Sequence, residues 1–343
     1  MPTNYHISDG RFAHTLLNWF RANGRQLPWR ETTDPYAIWL SEIILQQTRI
    51  EQGLPYWQRF MQRWPTVDML ATANEDDVLR QWQGLGYYSR ARNLLVAARQ
   101  IAAGGGFPTT YEGLRKLKGV GDYTAAAVAS IAFGQPVAVV DGNVYRVLAR
   151  HFLISTPINS TDGKHLFRQL AQELLPAAEA SAYNQALMDF GAMQCVPRSP
   201  QCAQCPLADT CGALATGRVA VLPMKNRTLN IRTRQLVYVY VRHQGLTAIH
   251  RREAGDIWQG LWEPWLISAG ELPAGARLVK KGVRHVLTHR VILADFYLWE
   301  PDERPVLPAS YQWINEQDID NYALPRLVER LLEALGNYPS RKP

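Results

Sequence analysis

Leu-Lys-Gly-Val-Gly-Asp-Tyr-Thr, residues 117–124, is the stretch that decides the fold, and it separates two segments of helical periodicity. The glycines at both ends of its turn, Gly119 and Gly121, let backbone N–H groups at the start of the next helix approach a DNA phosphate. Such a contact serves any DNA sequence, because phosphates carry no base identity. A plain turn between two helices has the same pattern, so the turn alone leaves both interpretations open.

Asp141 lies twenty residues after Gly121, behind the apolar run 136–140 and before the predicted helix 144–152. An aspartate in this place is commonly an N-cap, because its carboxylate accepts backbone N–H bonds. The same carboxylate can stabilise a cation in a cleft beside the turn. The two roles are compatible, since a capping aspartate stays ionised.

The first domain is predicted to span residues 1–217 and to be helical throughout. Apolar residues recur every three or four positions, and Gly and Pro fall in the loops between these runs. The predicted helices are 12–20, 38–50, 78–85, 94–101, 124–133, 144–152, 166–175 and 182–193.

The character of the chain changes after residue 217. Residues 218–234 are rich in Lys and Arg with few apolar residues, which predicts a basic linker. Apolar runs of β type at 236–241 and 246–249 predict a hairpin that opens a second, α+β domain over 235–343. The remaining predicted elements are a strand at 291–298 and a helix at 324–335.

The four cysteines of the chain are separated by six, two and five residues: Cys195, Cys202, Cys205 and Cys211. Disulfide bonds within so short a loop would cross-link little of the chain. Four thiols this close in sequence instead indicate one metal site. A set of four thiolates suits either zinc or a [4Fe–4S] cluster. One C-x2-C pair with wider arms, in place of two distant knuckles, favours the cluster. Because thiolates then occupy all four corners, we expect a structural role.

Composition limits the partners. The chain has 343 residues and a formal net charge of +7, which favours a polyanionic partner without separating nucleic acid from a membrane surface. No run approaches the roughly 18 apolar residues that span a bilayer. The first twenty residues lack the pattern of a signal peptide, so we expect a cytoplasmic protein, associated with the nucleoid through DNA binding.

These motifs, in this order, resemble the helix-hairpin-helix glycosylases of the endonuclease III superfamily. The resemblance extends over about 200 residues and combines the Gly119-Val120-Gly121 turn, Asp141 and the cysteine loop. It implies a mostly α helix-hairpin-helix glycosylase domain with a [4Fe–4S] loop, followed by a C-terminal α+β Nudix-like domain. It also implies that Gly119 and Gly121 contact DNA.

Tyr123 stands where the bifunctional members of this superfamily have a lysine nucleophile. The resemblance therefore implies a monofunctional glycosylase, which releases a base without cutting the strand. Tyrosine at this position is similar to both the MutY adenine glycosylases and some thymine-mismatch glycosylases.

Glu42 lies in a helical run between Trp39 and Leu45 with little polar surface around it. A carboxyl group in such surroundings has a pKa raised toward neutrality, as a general acid requires. The run closely resembles the MutY signature, in which the glutamate protonates adenine N7. The resemblance implies that Asp141 stabilises the resulting cation, with Tyr123 and Asn143 orienting it.

Other residues match the family's DNA contacts. Tyr87, in a Gly-rich turn, resembles the wedge beside 8-oxoguanine, where stacking is worth roughly 1–3 kcal/mol. Gln47 matches the glutamine that enters the duplex. The residues that match the adenine pocket are Arg25, Trp29, Arg30 and Gln185, and Leu45 is a further residue expected to bind substrate or DNA.

The second domain resembles the Nudix-like domain of the MutY family, whose Phe-Ser-His loop probes 8-oxoguanine. Here Leu287, Thr288 and His289 occupy that loop, so a hydroxyl and an imidazole are kept and an aromatic ring is lost. The acidic metal-binding run of a Nudix hydrolase is missing, which argues against pyrophosphate cleavage.

The sequence thus predicts a monomeric monofunctional DNA glycosylase that excises adenine mispaired with 8-oxoguanine or G in double-stranded DNA. A thymine-mismatch or pyrimidine glycosylase accounts for the first domain but not for the second or for the surroundings of Glu42. A nonenzymatic DNA-binding protein accounts for the charge and the turn, but it leaves Glu42 and Asp141 unexplained.

Overall fold

The computed structural model describes residues 10–226, 232–268, 270–287 and 289–336. Backbone contacts group the chain into two compact units. The first contains residues 1–53, 64–71 and 96–227, and the second contains residues 54–63, 72–95 and 228–343. The domain boundaries expected from the sequence stay a prediction.

Helices dominate the described chain up to residue 226. Their bounds are α1 (Arg11–Asn23), α2 (Pro35–Leu45), α3 (Ile50–Arg63), α4 (Val67–Ala71), α5 (Glu75–Trp82), α6 (Ser89–Ala103), α7 (Tyr111–Leu114), α8 (Asp122–Phe133), α9 (Gly142–His151), α10 (Thr161–Glu173), α11 (Ala180–Met193) and α12 (Gly212–Ala215). Single 3-10 turns occur at Pro28–Arg30, Ala177–Glu179, Cys202–Gln204 and Ala208–Thr210.

Helix α8 lies at the centre of the first unit because its side chains are small. Residues 124–130 of its Ala-rich sequence are all buried, and α2, α7 and α11 pack against it. Close helix packing of this kind needs short side chains at the contact. Helix α11 also packs on α9 at Gly191, where an added Cβ would lie 2.6 Å from the Cβ of Asn143. This glycine therefore lets α11 approach the start of α9.

Two helix predictions were wrong at their ends. The helix expected over 38–50 ends at Leu45, and a new helix begins at Ile50. Gln47, between them, has a φ of 56°, and this left-handed backbone cannot continue a right-handed helix. The helix expected over 78–85 ends at Trp82, because Gly84 has a φ of 100°. The other predicted helices are found with shifted ends.

The second unit contains a mixed β-sheet. The described strands are β1 (Arg232–His243), β2 (Leu246–Arg251), β3 (Trp262–Glu263), β4 (Trp265–Ile267), β5 (Arg277–Leu287), β6 (Arg290–Trp299) and β7 (Tyr311–Asn315). Their order is β3-β2-β1-β6-β5, with β4 also paired to β1 and β7 to β2. Strands β1 and β6 are parallel, whereas the other pairs are antiparallel.

The predicted hairpin, the later strand and the final helix are confirmed. Strands β1 and β2 meet around Arg242 and Thr247. The final helix is α13 (Arg326–Ala334), whose buried leucines pack with β1 and β6 in one hydrophobic core. Strand β5 was not predicted, and β1 begins three residues before the expected start of the second domain.

None of the described helices has the length and apolar composition that a bilayer-spanning segment requires.

Candidate active site

A cavity of about 420 Å³ in the first unit brings together nine of the residues singled out in the sequence. They are Arg25, Trp29, Arg30, Glu42, Leu45, Tyr123, Asp141, Asn143 and Gln185. A second cavity of about 800 Å³ shares Arg25, Leu27, Arg30 and Gln185 with the first. Charged and polar groups that converge with apolar residues in one cavity are typical of a binding or catalytic site.

Glu42 provides the protonatable group of this cavity. It lies on α2 with only 8% of its surface exposed. Burial raises the pKa of Glu42 to about 7, and the charge of Asp141 adds to the rise. A hydrogen bond with Tyr123 and the charge of Arg30 act in the opposite direction on that pKa. The carboxyl group is thus poised between its two protonation states at neutral pH, as its apolar neighbours predicted.

Asp141 is the N-cap of α9, as expected. Its Oδ1 accepts a 2.7 Å hydrogen bond from the backbone N–H of Val144, and its Oδ2 accepts one of 2.7 Å from Nδ2 of Asn143. Burial raises the pKa of Asp141 above its ordinary value, and these two hydrogen bonds oppose that rise. Each oxygen therefore has a fixed donor, which holds the carboxylate in one orientation.

Arg146 connects Asn143 to the cysteine loop. Its Nη2 donates to Oδ1 of Asn143 at 2.8 Å, and its Nε donates to the carbonyl oxygen of Cys195 at 2.7 Å. Nη2 also donates to the carbonyl oxygen of Gly191. The amide of Asn143 is thereby oriented with its nitrogen toward Asp141.

Asp189, on α11, pairs with two arginines of the cavity wall. It is fully buried, and it accepts hydrogen bonds from Arg25 and from both terminal nitrogens of Arg30. Nη1 of Arg30 also donates to the carbonyl oxygen of Arg25. These contacts fix both guanidinium groups beside Glu42 and Gln185.

The glycine turn before α8 has the backbone that its sequence suggests. Gly119 has a φ of 76°, a conformation that favours glycine, and α8 begins directly after Gly121. Neither glycine lines the cavity. Asp122, in the first turn of α8, forms ion pairs with Arg115 and Arg168, so two cationic side chains lie at the start of this helix.

Gln47 and Tyr87, the two residues that resemble wedges, both have left-handed backbones. Their φ angles are 56° and 46°, and 48% of the Tyr87 surface is exposed. Non-glycine residues seldom adopt this conformation, and where they do it often accompanies function. Each side chain is presented from a tight turn, Gln47 in the first unit and Tyr87 in the second.

The loop expected to probe the opposite base is partly described. Leu287 ends β5, and His289 is exposed between β5 and β6. Thr288 lies outside the described residues. Asp256 pairs with Arg234 and with Arg290, which places the loop that follows β2 near the start of β6.

Among the described acidic residues of the second unit, Glu329 is buried in an ion pair with Arg326, and Glu263 is the other one whose burial makes it a candidate metal ligand. It is instead bound by Nη1 of Arg252, at 2.5 and 2.6 Å, and by the hydroxyl of Tyr238 at 2.7 Å. Both oxygens are engaged in a structural ion pair.

The four cysteine thiols surround one small cavity of about 30 Å³. A cubane cluster takes one thiolate on each of its four iron corners, so its ligands stand around a volume. Cys195, Cys202, Cys205 and Cys211 therefore fit a [4Fe–4S] cluster.

Buried Arg150 supports this loop from α9. It donates to the carbonyl oxygens of Val196 and Pro197 at 2.8 and 3.0 Å, and its Nη1 lies 3.4 Å from Sγ of Cys195. A cation beside the thiolates offsets part of the negative charge that four of them bring.

Comparison with known families agrees with this architecture. Residues 40–177 match the HhH-GPD superfamily of base excision DNA repair proteins, and residues 236–334 match a NUDIX domain. Residues 195–211 match the iron–sulfur binding domain of endonuclease III. The class is therefore that of helix-hairpin-helix base excision repair proteins with a [4Fe–4S] loop and a C-terminal Nudix-like domain.

Individual relatives narrow the class. The chain is 34% identical over 255 residues to an adenine DNA glycosylase of Buchnera aphidicola, covering 73% of this chain and 72% of that protein. It is 42% identical over 243 residues to the adenine DNA glycosylase of Rattus norvegicus, covering 66% of this chain and 47% of that protein. The chain belongs to the adenine DNA glycosylase family, and it spans about half the length of its rat relative.

Among solved structures, a thermostable thymine-DNA glycosylase is similar to part of the chain. The two share 31% identity with a TM-score of 0.56, over 60% of this chain and 96% of that one.

Two residues near the site were not singled out from the sequence, Asp189 and Arg146. Each is a charged residue inside an otherwise apolar helical run, and such a residue is rarely buried unless it is paired. That signal identifies the residues, but it does not reveal their partners.

Proposed function

We propose that the protein is a monofunctional DNA glycosylase that excises adenine from mispairs in double-stranded DNA. The observation that carries this proposal is the buried Glu42 carboxyl, with a pKa of about 7, in one cavity with Asp141. Tyr123 lines the same cavity where a lysine would provide an amine nucleophile. The adenine glycosylase relatives support the choice of base.

The first chemical step is protonation of the base. Adenine is a poor leaving group until a ring nitrogen gains a proton, and Glu42 donates that proton to N7. The glycosidic bond then breaks with its electron pair going to the base, which leaves an oxocarbenium ion on the sugar. Glu42 is then an anion, ready to act as a base.

The second step uses Asp141. Its carboxylate, held by Val144 and Asn143, stabilises the cation or bonds to C1′. Water deprotonated by Glu42 then adds at C1′, and an abasic site results. One carboxyl acts as the acid and the other as the anion, as in glycoside hydrolysis. A product of methanolysis with inverted configuration would argue against a covalent bond to Asp141.

DNA engagement would use residues outside the cavity as well. The Gly119 turn contacts a phosphate through backbone N–H groups, while Gln47 and Tyr87 enter the base stack. Extrusion of the adenine costs a few kcal/mol and is easiest at a mismatch. Arg25, Trp29, Arg30, Leu45 and Gln185 then line the pocket of the flipped base.

The opposite base is proposed to be 8-oxoguanine or G. Leu287, Thr288 and His289 would provide the contacts, because a hydroxyl and an exposed imidazole can hydrogen bond the lesion. The [4Fe–4S] cluster would hold the loop that carries Arg198 against the DNA backbone and would take no part in base removal.

A thymine-mismatch glycosylase is the second candidate. The similarity to the thermostable thymine-DNA glycosylase favours it, as does Tyr123, whose position suits both groups. Thymine has no imidazole nitrogen to protonate, however, so this candidate gives Glu42 no acid role. The two candidates therefore differ in what Glu42→Gln does.

Single-turnover base release tests the proposal. Duplexes with A opposite 8-oxoguanine, A opposite G and T opposite G are compared for the wild type, Glu42→Gln and, as a control, exposed Glu112→Gln. Adenine release that is lost in Glu42→Gln and kept in Glu112→Gln is expected. Release of thymine alone, or adenine release by Glu42→Gln at the wild-type rate, would overturn the proposal.

Recognition of the lesion needs its own comparison. His289→Ala is expected to lower the ratio of the rates opposite 8-oxoguanine and opposite G, with the rate opposite G little changed. His14→Ala, an exposed histidine on α1, serves as the control. An unchanged ratio would remove His289 from lesion recognition without affecting the case for adenine excision.

A further inference from the structure

Asp189 balances the charges of the base pocket without lining it. Its carboxylate is fully buried on α11, and Arg25 and Arg30, its partners, are 31% and 14% exposed in the cavity wall. The backbone N–H of Arg25 donates to Oδ2 at 3.0 Å and its Nε to Oδ1 at 2.9 Å. Nη1 and Nη2 of Arg30 donate to Oδ2 and Oδ1 at 2.7 and 2.9 Å.

At these distances both oxygens of the Asp189 carboxylate accept hydrogen bonds from the two arginines. Burial would raise the pKa of Asp189, but the hydrogen bonds from Arg30 and Arg25 outweigh it and hold that pKa below its ordinary value. The carboxylate is thus an anion at neutral pH. It is joined to one distant segment of the chain, 164 residues away at Arg25 and 159 at Arg30.

We propose that Asp189 is a positioning residue of the base pocket, which holds Arg25 and Arg30 in the wall and offsets their charge beside Glu42. The consequence for catalysis rests on the proposed function, in which Glu42 must carry a proton before it meets adenine.

The electrostatics of Glu42 decide this point. Tyr123 from α8, Asp141 before α9 and Arg30 from the 3-10 turn act on its carboxyl. The other charged residues of the cavity are Arg25, Arg49 and Glu51. The positive charge of Arg30 favours the ionised form of Glu42. The guanidinium of Arg30 also forms an ion pair with the carboxylate of Asp189. If the negative charge of Asp189 is removed, the positive charge of Arg30 is no longer offset and it lowers the pKa of Glu42 further.

Geometry leads to the same result. If Arg30 loses its bidentate contact with Asp189, its guanidinium can pair with another carboxylate. Glu42 lines the same cavity and is such a carboxylate. Arg30 would then turn toward Glu42, occupy space for the base and favour the deprotonated acid. Asp189 therefore prevents an ion pair that would disable Glu42.

The test is the titration of Glu42 in the full-length, cluster-loaded protein without DNA. Its carboxylic acid C=O infrared band is identified as the band that Glu42→Gln removes. In Asp189→Asn the midpoint is expected to fall by about one pH unit, and in Asp189→Glu it is expected to stay near the wild-type value. An unchanged midpoint in a folded Asp189→Asn protein would overturn the proposal.

A second set of variants covers the case in which Asp189→Asn does not fold. Arg30→Gln leaves Asp189 paired with Arg25 and removes the cation that acts on Glu42. Its midpoint is expected to rise, whereas Arg21→Gln, an exposed arginine of α1, should leave it unchanged. If Arg30→Gln does not raise the midpoint, Arg30 exerts no charge for Asp189 to offset and the proposal fails.

Base release gives an independent readout. For Asp189→Asn the loss of single-turnover rate is expected to be at least about threefold larger at pH 8 than at pH 6, because the acid is lost at high pH. A merely structural role would lower both rates equally. If the wild type releases no base, the proposed function fails, and the infrared midpoints still decide the role of Asp189.

Discussion

Asn143 donates from Nδ2 to Oδ2 of Asp141 over 2.7 Å, while its own Oδ1 accepts from Arg146. The amide is therefore fixed in one orientation and cannot turn its oxygen toward the carboxylate. Oδ1 of Asp141 is held separately by the Val144 N–H. The two residues act as one unit, in which Asn143 sets where the negative charge of Asp141 points.

Asn143→Ala is expected to slow the release of adenine without preventing duplex binding. A hydrogen bond to a charged group contributes roughly 1.5–3 kcal/mol, so a loss of roughly 10- to 100-fold in single-turnover rate follows. The rate is measured with enzyme in excess over a duplex that contains A opposite 8-oxoguanine. Asn18→Ala, an exposed position on α1, is the control. A rate within twofold of the wild type would show that Asp141 needs no help from Asn143.

Glu42→Gln is expected to make the protein more stable at high pH than the wild type. The pKa of Glu42 in the folded chain, about 7, lies above the ordinary 4.5. Between these values the unfolded chain loses its proton first, so the stability of the folded chain falls as pH rises from 4.5 to 7 and then stays constant. A glutamine cannot ionise, so the Glu42→Gln protein does not lose the roughly 3 kcal/mol of unfolding free energy that the wild type loses over this pH range.

Urea unfolding of the wild type and Glu42→Gln at pH 5 and pH 8 measures this effect. The difference between the two proteins should be larger at pH 8, with Glu112→Gln showing no such dependence. A gain of equal size at both pH values would mean that the carboxyl group of Glu42 ionises normally.

The central residues of the site could be predicted because each has a local signal. Glu42 is surrounded by apolar residues in its own helix. Asp141 directly precedes a helix, where an aspartate is a common N-cap. The pairing of Asp189 with Arg25 and Arg30 has no such signal, since it joins segments more than 150 residues apart. The direction of the Asn143 amide depends in the same way on Arg146.

The fold prediction failed at places where the local sequence carries no signal for the structure. The helix break between Leu45 and Ile50 contains neither Gly nor Pro, and the left-handed backbone of Gln47 has no mark in the sequence. Strand β5 is mostly exposed and rich in Lys and Arg, so it lacks the apolar run of β type that predicted β1 and β6.

Gly119→Ala is expected to destabilise the turn and to weaken DNA binding. The φ of 76° at Gly119 costs a residue with a Cβ roughly 1–2 kcal/mol. Because the proposed contact is to a phosphate, the affinity should fall by about the same factor, roughly 3- to 10-fold, for mispaired and fully paired duplexes. Fluorescence anisotropy at fixed salt and thermal unfolding measure the two effects.

Gly270→Ala is the matched control for that change. Gly270 has no neighbour within 4 Å and no left-handed backbone, so both affinity and stability should remain as in the wild type. A Gly119→Ala protein that is less stable but binds both duplexes normally would limit Gly119 to a structural role.

Cys205→Ala is expected to cost the protein its cluster and, with it, the order of the loop from Cys195 to Cys211. Thiolate ligation of all four corners makes each cysteine necessary, and binding energy of a structural metal site is also folding energy. Iron content and visible absorption should fall to background, and the melting temperature should fall with them. Thr210→Ala, in the same loop, should keep both the iron and the melting temperature. Full iron content in Cys205→Ala would contradict the expectation that the cluster needs all four thiolates of this chain.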